Sequence, residues 1–165
     1  MNEPIIIADA GPLIAMAKLD RLDLLSLFFR EVLVPQAVIG ECTVDPSRTD
    51  TQRIQAAIGR SAFRIVTVAE SPRLRAIRRL LDPGEAQALV LAEQSRAPVL
   101  MDERRGRVEA QRLGIRVIGT GALLVAAKRR GSVDQVGPLL VSLVEQGYRL
   151  SDRLQQALLE MSGEA

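Results

Sequence analysis

Short runs of β-branched and aliphatic residues alternate along the chain with longer segments in which apolar positions recur every three or four residues. The short runs, Ile5–Ala8, Val32–Val34, Phe63–Val68, Val99–Met101 and Val117–Ile118, predict strands. Each is followed by a turn or helix-start signal, the pattern of an α/β domain with a mostly parallel sheet. Between them the period predicts helices over Pro12–Lys18, Leu22–Phe29, Pro35–Cys42, Thr51–Ile58, Leu74–Leu80, Glu85–Gln94, Arg104–Leu113, Ala122–Arg130 and Val136–Gln146. A last helix is predicted over Asp152–Met161, introduced by a cap-like Ser151, with Leu154, Leu158 and Met161 at helical spacing. The division this suggests is a domain over 1–150 and a C-terminal helix over 151–165 that docks on the domain or on a partner. The polar, proline-containing stretch Thr43–Thr49 reads as a surface loop, and Ser71-Pro72 marks another break.

Composition narrows the chemistry. The chain has 165 residues, 47% apolar and 25% charged, enough to build a core without disulfides or a structural metal. Its one cysteine, Cys42, cannot form an internal bridge or a Cys/His zinc site, and it reads as a small buried hydrophobe. With no histidine present, His-centred triads and the commonest general base are excluded, leaving carboxylates, hydroxyls, Lys/Arg or a borrowed metal. A net charge of +2 permits a nucleic-acid partner, while one Tyr and three Phe argue against recognition built on base stacking. The run Ile5–Ala8 is too short for a signal peptide or a membrane span, so the expected setting is the cytoplasm, with no membrane partner.

In an open α/β sheet, ligands bind at the carboxyl ends of the strands. Asp9 directly follows Ile5–Ala8, and Asp102 directly follows Val99–Met101, with Glu103 beside it. Glu41 ends the apolar segment from Val34, and Glu85 opens a helix after Asp82-Pro83-Gly84. Each has a plainer reading: an acid past a strand caps the next helix, Glu85 suits a helix dipole, and Glu41 is an ordinary surface residue. Together the four imply more, because converging carboxylates repel one another unless cations lie among them. An all-oxygen set selects hard cations, Mg²⁺ or Mn²⁺. A pair of such ions, typically ~3.5–4 Å apart, activates water and stabilises the leaving oxygen in phosphodiester hydrolysis without a histidine base.

Four segments, Asp9-Ala-Gly-Pro-Leu-Ile-Ala-Met-Ala-Lys18, Val34-Pro-Gln-Ala-Val-Ile-Gly-Glu41, Gly84-Glu85-Ala-Gln-Ala-Leu-Val-Leu-Ala92 and Val99-Leu-Met-Asp102-Glu103-Arg104-Arg105-Gly106-Arg107, resemble the PIN-domain family in order, chemistry and spacing. The stretch Val117–Gly131 is similar to a prokaryotic PIN-like nucleic-acid-binding branch related to VapC-type toxin ribonucleases. The resemblance implies a PIN-like three-layer α/β sandwich, a central, mostly parallel sheet flanked by helices. It implies Mg²⁺- or Mn²⁺-dependent cleavage of single-stranded RNA, with Asp9, Glu41, Glu85 and Asp102 as catalytic metal-binding acids and Glu103 as a further acid. Thr120 matches a hydroxyl position near the site, or else caps the helix that follows. Gly11 departs from the pattern, standing where many relatives of this branch carry Ser or Thr. A homodimer, and an antitoxin protein covering the cleft in a toxin–antitoxin pair, are further implications.

Arg104, Arg105 and Arg107, with Lys128, Arg129 and Arg130 ending a later helix, are candidate contacts to RNA phosphates; helix-end charge and a solvated face are their plainer readings. Arg73, Arg75, Arg78 and Arg79 read as a solvated or partner-facing patch. The apolar Leu22–Phe29 segment reads as core packing, with a dimer face as its alternative. The leading expectation is a metal-dependent endoribonuclease. Its alternative is a PIN-like module that binds nucleic acid or protein with little or no catalysis, which the Gly11 departure favours. A phospho-acceptor receiver domain fits poorly: the chain is long for it, and no acceptor Asp is paired with a lysine after the last strand.

Overall fold

The strand β1 (Glu3–Ala8) takes an apolar run on both faces, as expected of a parallel strand covered by helices on each side. The computed structural model describes residues 3–165. β1 is central in a five-stranded sheet of order β3-β2-β1-β4-β5, every pair parallel, with β2 (Phe29–Pro35), β3 (Arg64–Val66), β4 (Val99–Leu100) and β5 (Val117–Ile118). The chain winds outward from β1 to β2 and β3, then returns to the other side of β1 for β4 and β5. That reversal puts a topological switch point between β1 and β4, where the ends of neighbouring strands open a crevice.

Helices cover both faces, so the fold is an α/β three-layer sandwich. On one face Ile6 and Ala8 of β1, Val32 and Val34 of β2 and Leu100 of β4 pack against α1 (Ala10–Lys18), α2 (Asp23–Phe28), α3 (Gln36–Cys42), α4 (Thr49–Gly59), α8 (Thr120–Arg129) and α9 (Gly137–Glu145). On the other, Ile7, Leu33, Val99 and Met101 meet α5 (Pro72–Arg78), α6 (Pro83–Ser95) and α7 (Arg104–Arg112). The strict alternation of Ile6 and Ala8 against Ile7 is the two-residue period of a strand serving two cores.

The expected strands all form, β5 with its predicted ends and the others with shifted ones. β2 begins at Phe29 rather than Val32, so the aromatic pair divides: Phe28 closes α2 and Phe29 opens the strand, both buried in the first core. The outer strand β3 spans only Arg64–Val66, within the predicted Phe63–Val68. The C-terminal helix α10 (Asp152–Ser162) packs on α8, with Leu158 buried over Gly121; Ser151 caps it by accepting from the Leu154 amide at 3.1 Å. No helix among the described residues is long and apolar enough to cross a membrane.

Candidate metal centre and nucleic-acid interface

Asp9 occupies the N-cap position of α1, yet its side chain makes no capping hydrogen bond. The capping reading of this residue therefore fails. Its carboxylate is 3% exposed and Oδ1 has no hydrogen-bond partner, an uncommon condition for a buried polar atom. Burial pushes the Asp9 carboxyl up to about 7; the Ala10 amide opposes this, and the nearby charges of Glu85, Glu41 and Asp102 reinforce it. The four acids expected to act together thus lie in one electrostatic neighbourhood centred on Asp9.

The other three carboxylates are each held by local donors. Asp102, past the end of β4, accepts from the Thr120 amide at 2.8 Å, from Thr120 Oγ1 at 2.6 Å and from the Tyr148 hydroxyl. Thr120 is itself the first residue of α8, with Gly119 at the N-cap, so its hydroxyl serves Asp102 rather than capping the helix. Glu41, exposed on α3, accepts from the Gly84 amide at 3.0 Å; a Cβ at Gly84 would overlap its carboxylate, so the glycine lets it approach the start of α6. Glu85 lies in a reciprocal capping box with Asp82, its Oε2 accepting from the Asp82 amide at 3.2 Å. Loss of hydration raises both Glu41 and Glu85, and Glu85 also feels Asp82, Glu103 and Glu41. Glu103 is exposed at the N-cap of α7.

The donor set fits a hard divalent cation in chemistry: all oxygens, mutual repulsion to neutralise, and one buried carboxylate oxygen without a partner. Among the described residues no three acids stand close enough, as their side chains are placed, to enclose a cation. Glu41, Glu85 and Asp102 are each held instead by a backbone amide, of Gly84, Asp82 and Thr120 respectively.

The basic candidates divide. Arg107 lies beside the acids, its Nη1 2.9 Å from the point where Gly119 would carry a Cβ. Arg104 is exposed on the first turn of α7. Arg105 donates to the Leu80 carbonyl at 2.8 Å, facing the α5–α6 connection. Lys128, Arg129 and Arg130 are not brought to the acids, because they end α8 about 12 Å along its axis from Thr120. Lys128 pairs with Glu164 at 2.9 Å, Arg129 reaches the Met161 carbonyl at 3.5 Å, and Arg130 donates to the Leu27 carbonyl at 2.8 Å with its guanidinium 4.9 Å from the Phe28 ring centre. Arg73, Arg75 and Arg78 form surface ion pairs with Glu93 and Glu70. Cys42 is buried, its thiol pushed up to about 12 by burial.

Two residues that the sequence reading did not assign to the site belong to it. Asp82 carries a legible signal, the Asp-Pro-Gly-Glu capping box. Tyr148 carries none: it is half-buried in the turn after α9, and its contact with Asp102 spans 46 residues.

A parallel sheet covered on both faces, with Asp9 and Asp102 past the ends of β1 and β4, defines an α/β module with an acidic site at its switch point. A family model described as a PIN domain matches residues 5–164, and the chain belongs to that family. Members typically use divalent metal ions. No curated protein matches the chain. Among solved structures it is similar to a domain of a functionally unknown protein from Methanocaldococcus jannaschii DSM 2661, at 14% identity and a TM-score of 0.47, over 70% of this chain and 90% of that one.

Proposed function

We propose that this PIN domain is a divalent-cation-dependent endoribonuclease acting on single-stranded RNA, and that it serves as the toxin of a toxin–antitoxin pair. The observation that carries the enzymatic part is Asp9, a buried carboxylate with an unpartnered oxygen that feels the charges of Glu85, Glu41 and Asp102. Asp9, Glu41, Glu85 and Asp102 would hold Mg²⁺ or Mn²⁺, with Glu103 at the rim. The cation supplies water activation and neutralises charge on the phosphoryl group. Thr120 and Tyr148 orient Asp102, and Arg107 places a positive group next to it. A homodimer and an antitoxin over the cleft belong to the same proposal, and co-purification and sizing of the chain expressed with its neighbouring gene would read them.

A second reading, a binding module with little turnover, draws support from Asp102, whose two oxygens already take three donors. Cleavage of labelled single-stranded RNA with Mg²⁺, Mn²⁺ or EDTA separates the two, run beside folded Asp9→Asn and Asp102→Asn variants. The nuclease reading expects metal-dependent products with 5′-phosphate and 3′-hydroxyl ends, lost in both variants. Products ending in a 2′,3′-cyclic phosphate, or no cleavage with either metal, would overturn it.

A further inference from the structure

A cleft of about 550 Å³ begins at Asp102 and Glu103 and runs along α1 past Gly11 and Ile14. Its size lies within the range of sites that enclose small ligands, about 300–1,000 Å³. One wall is α1. The other is the turn 146–149, clasped to α1 by two hydrogen bonds: Lys18 Nζ donates to the Gln146 carbonyl at 3.1 Å, and Gln146 Nε2 donates to the Lys18 carbonyl at 3.0 Å. Gly147, at φ +84°, supplies the left-handed step in this turn, which sends Tyr148 toward Asp102 and leaves Arg149 exposed.

Charge along this cleft is segregated. Its inner end carries Asp102 and Glu103, while Lys18, Arg48 and Arg149 line the rest. Arg48 is pre-oriented by Asp50, with Nε to Oδ1 at 3.1 Å and Nη2 to Oδ2 at 3.3 Å, and its side chain stays half exposed. Nη1 of Arg48 and the whole Arg149 guanidinium make no hydrogen bond among the described residues. Cations spaced along a groove that ends in carboxylates suit a polyanion whose scissile position lies at the acidic end. Apart from Ile14 and the two glycines, the lining residues are charged or polar, and Tyr148 is the one aromatic among them, so the cleft offers phosphate contacts without a ladder of stacking platforms.

We propose that this cleft is the track for a single nucleic-acid strand, with Arg149, Arg48 and Lys18 as its phosphate contacts, held without regard to base sequence. The proposal rests on the nuclease reading for its polarity, toward the acids, but not for binding itself. It moves the phosphate contacts from the Lys128–Arg130 end of α8 to the α1 side of the acids.

The test is fluorescence anisotropy of a labelled single-stranded RNA with the full chain carrying Asp9→Asn, in EDTA, titrated from 50 to 200 mM salt. Arg149→Ala and Arg48→Ala are each expected to weaken binding about two- to tenfold and to reduce the salt slope by about 0.7 for each phosphate no longer neutralised. The weakening should be equal on RNAs of unrelated sequence. Arg60→Ala, at the other end of α4, should leave affinity and slope unchanged. Unaltered binding by Arg149→Ala and Arg48→Ala, or no binding by the parent chain, overturns the track. Wild-type cleavage assayed in parallel keeps the two readings distinct: cleavage with indifferent groove variants sinks the track alone, and groove-dependent binding without cleavage sinks the nuclease alone.

Discussion

The hydroxyl of Tyr148 stands 3.4 Å from the point at which Gly11 would carry a Cβ, and it donates to Asp102. Gly11 is the position at which the resemblance to the PIN-like branch leads one to expect a hydroxyl side chain. The structure brings a hydroxyl to the same place from the other end of the chain. Tyr148→Phe should therefore destabilise the fold by about 1.5–3 kcal/mol, the range for a hydrogen bond to a charged group, with the two Thr120 donors still in place. Gly11→Ser should crowd the tyrosine and destabilise the parent, but become neutral or favourable in the Tyr148→Phe background. Urea midpoints for the four proteins of this double-mutant cycle measure the coupling. Additive effects would show that the two positions do not share one hydroxyl site.

Glu164 ties the chain's end to the domain. It accepts from the Val136 amide at 2.8 Å and the Gly137 amide at 2.9 Å and pairs with Lys128. The Lys128 hydrogen bond, then the Gly137 and Val136 amides, depress its carboxyl to about 2 from an ordinary 4.5. A depressed folded value stabilises the native state above pH 4.5, and that contribution is lost as pH falls toward 2. Glu164→Gln should lower the melting temperature at pH 6 and converge on the parent across that window. A difference that persists unchanged at pH 2 would count against the ion pair as its source.

Much of this arrangement is readable before any coordinates. Parallel strands buried on both faces leave short apolar runs, and a carboxylate just after such a run, as at Asp9 and Asp102, marks a strand end. What is not readable is which local donor each acid takes. Thr120 reads equally well as a cap, and only the placement of β4 beside β5 shows that its hydroxyl serves Asp102. Lys128, Arg129 and Arg130 follow Thr120 closely in sequence, but a helix converts that nearness into distance at about 1.5 Å per residue. Tyr148 lies in a polar turn after Gly147, and no periodicity connects it to Asp102.

The docking of α10 on α8 rests on a missing side chain. A Cβ at Gly121 would lie 2.5 Å from Leu158 Cδ1 and 2.6 Å from Cδ2. Gly121→Ala presses on Cδ1, Cδ2 and Cγ of the buried Leu158, so the leucine must shift and the helix contact should weaken. Gly121→Val adds branches that the leucine cannot clear, and it should lift the C-terminal helix. Leu158→Ala instead leaves a cavity and should cost about 2–5 kcal/mol. Limited proteolysis reads the difference: Gly121→Val should be cut near 149–152 at protease levels that spare the parent. Equal resistance of the two proteins would mean that the helix docks without this contact.

Asp9 makes a prediction whose sign depends on pH and on metal. Its folded value, about 7, lies above the ordinary 3.8, and burial is the leading cause. Below pH 3.8 both folded and unfolded chains carry the protonated acid, so the residue costs nothing. Between 3.8 and 7 the unfolded chain releases its proton while the folded chain keeps it, and stability falls as pH rises; above 7 both are ionised and the full cost persists. In EDTA, Asp9→Asn should therefore gain melting temperature relative to the parent as pH rises from 4 to 7, then hold that gain. Each kcal/mol relieved corresponds to about 2–4 °C for a chain of this size. Mg²⁺ or Mn²⁺ should reverse the order, because a cation that binds only the native carboxylates stabilises the parent by mass action and has little to hold in the variant. Thermal melts at pH 4, 5.5, 7 and 8, with and without each cation, measure both effects. A gain that does not change with pH would falsify the buried charge as its origin, and a parent whose melting temperature ignores both cations would remove the metal from the site.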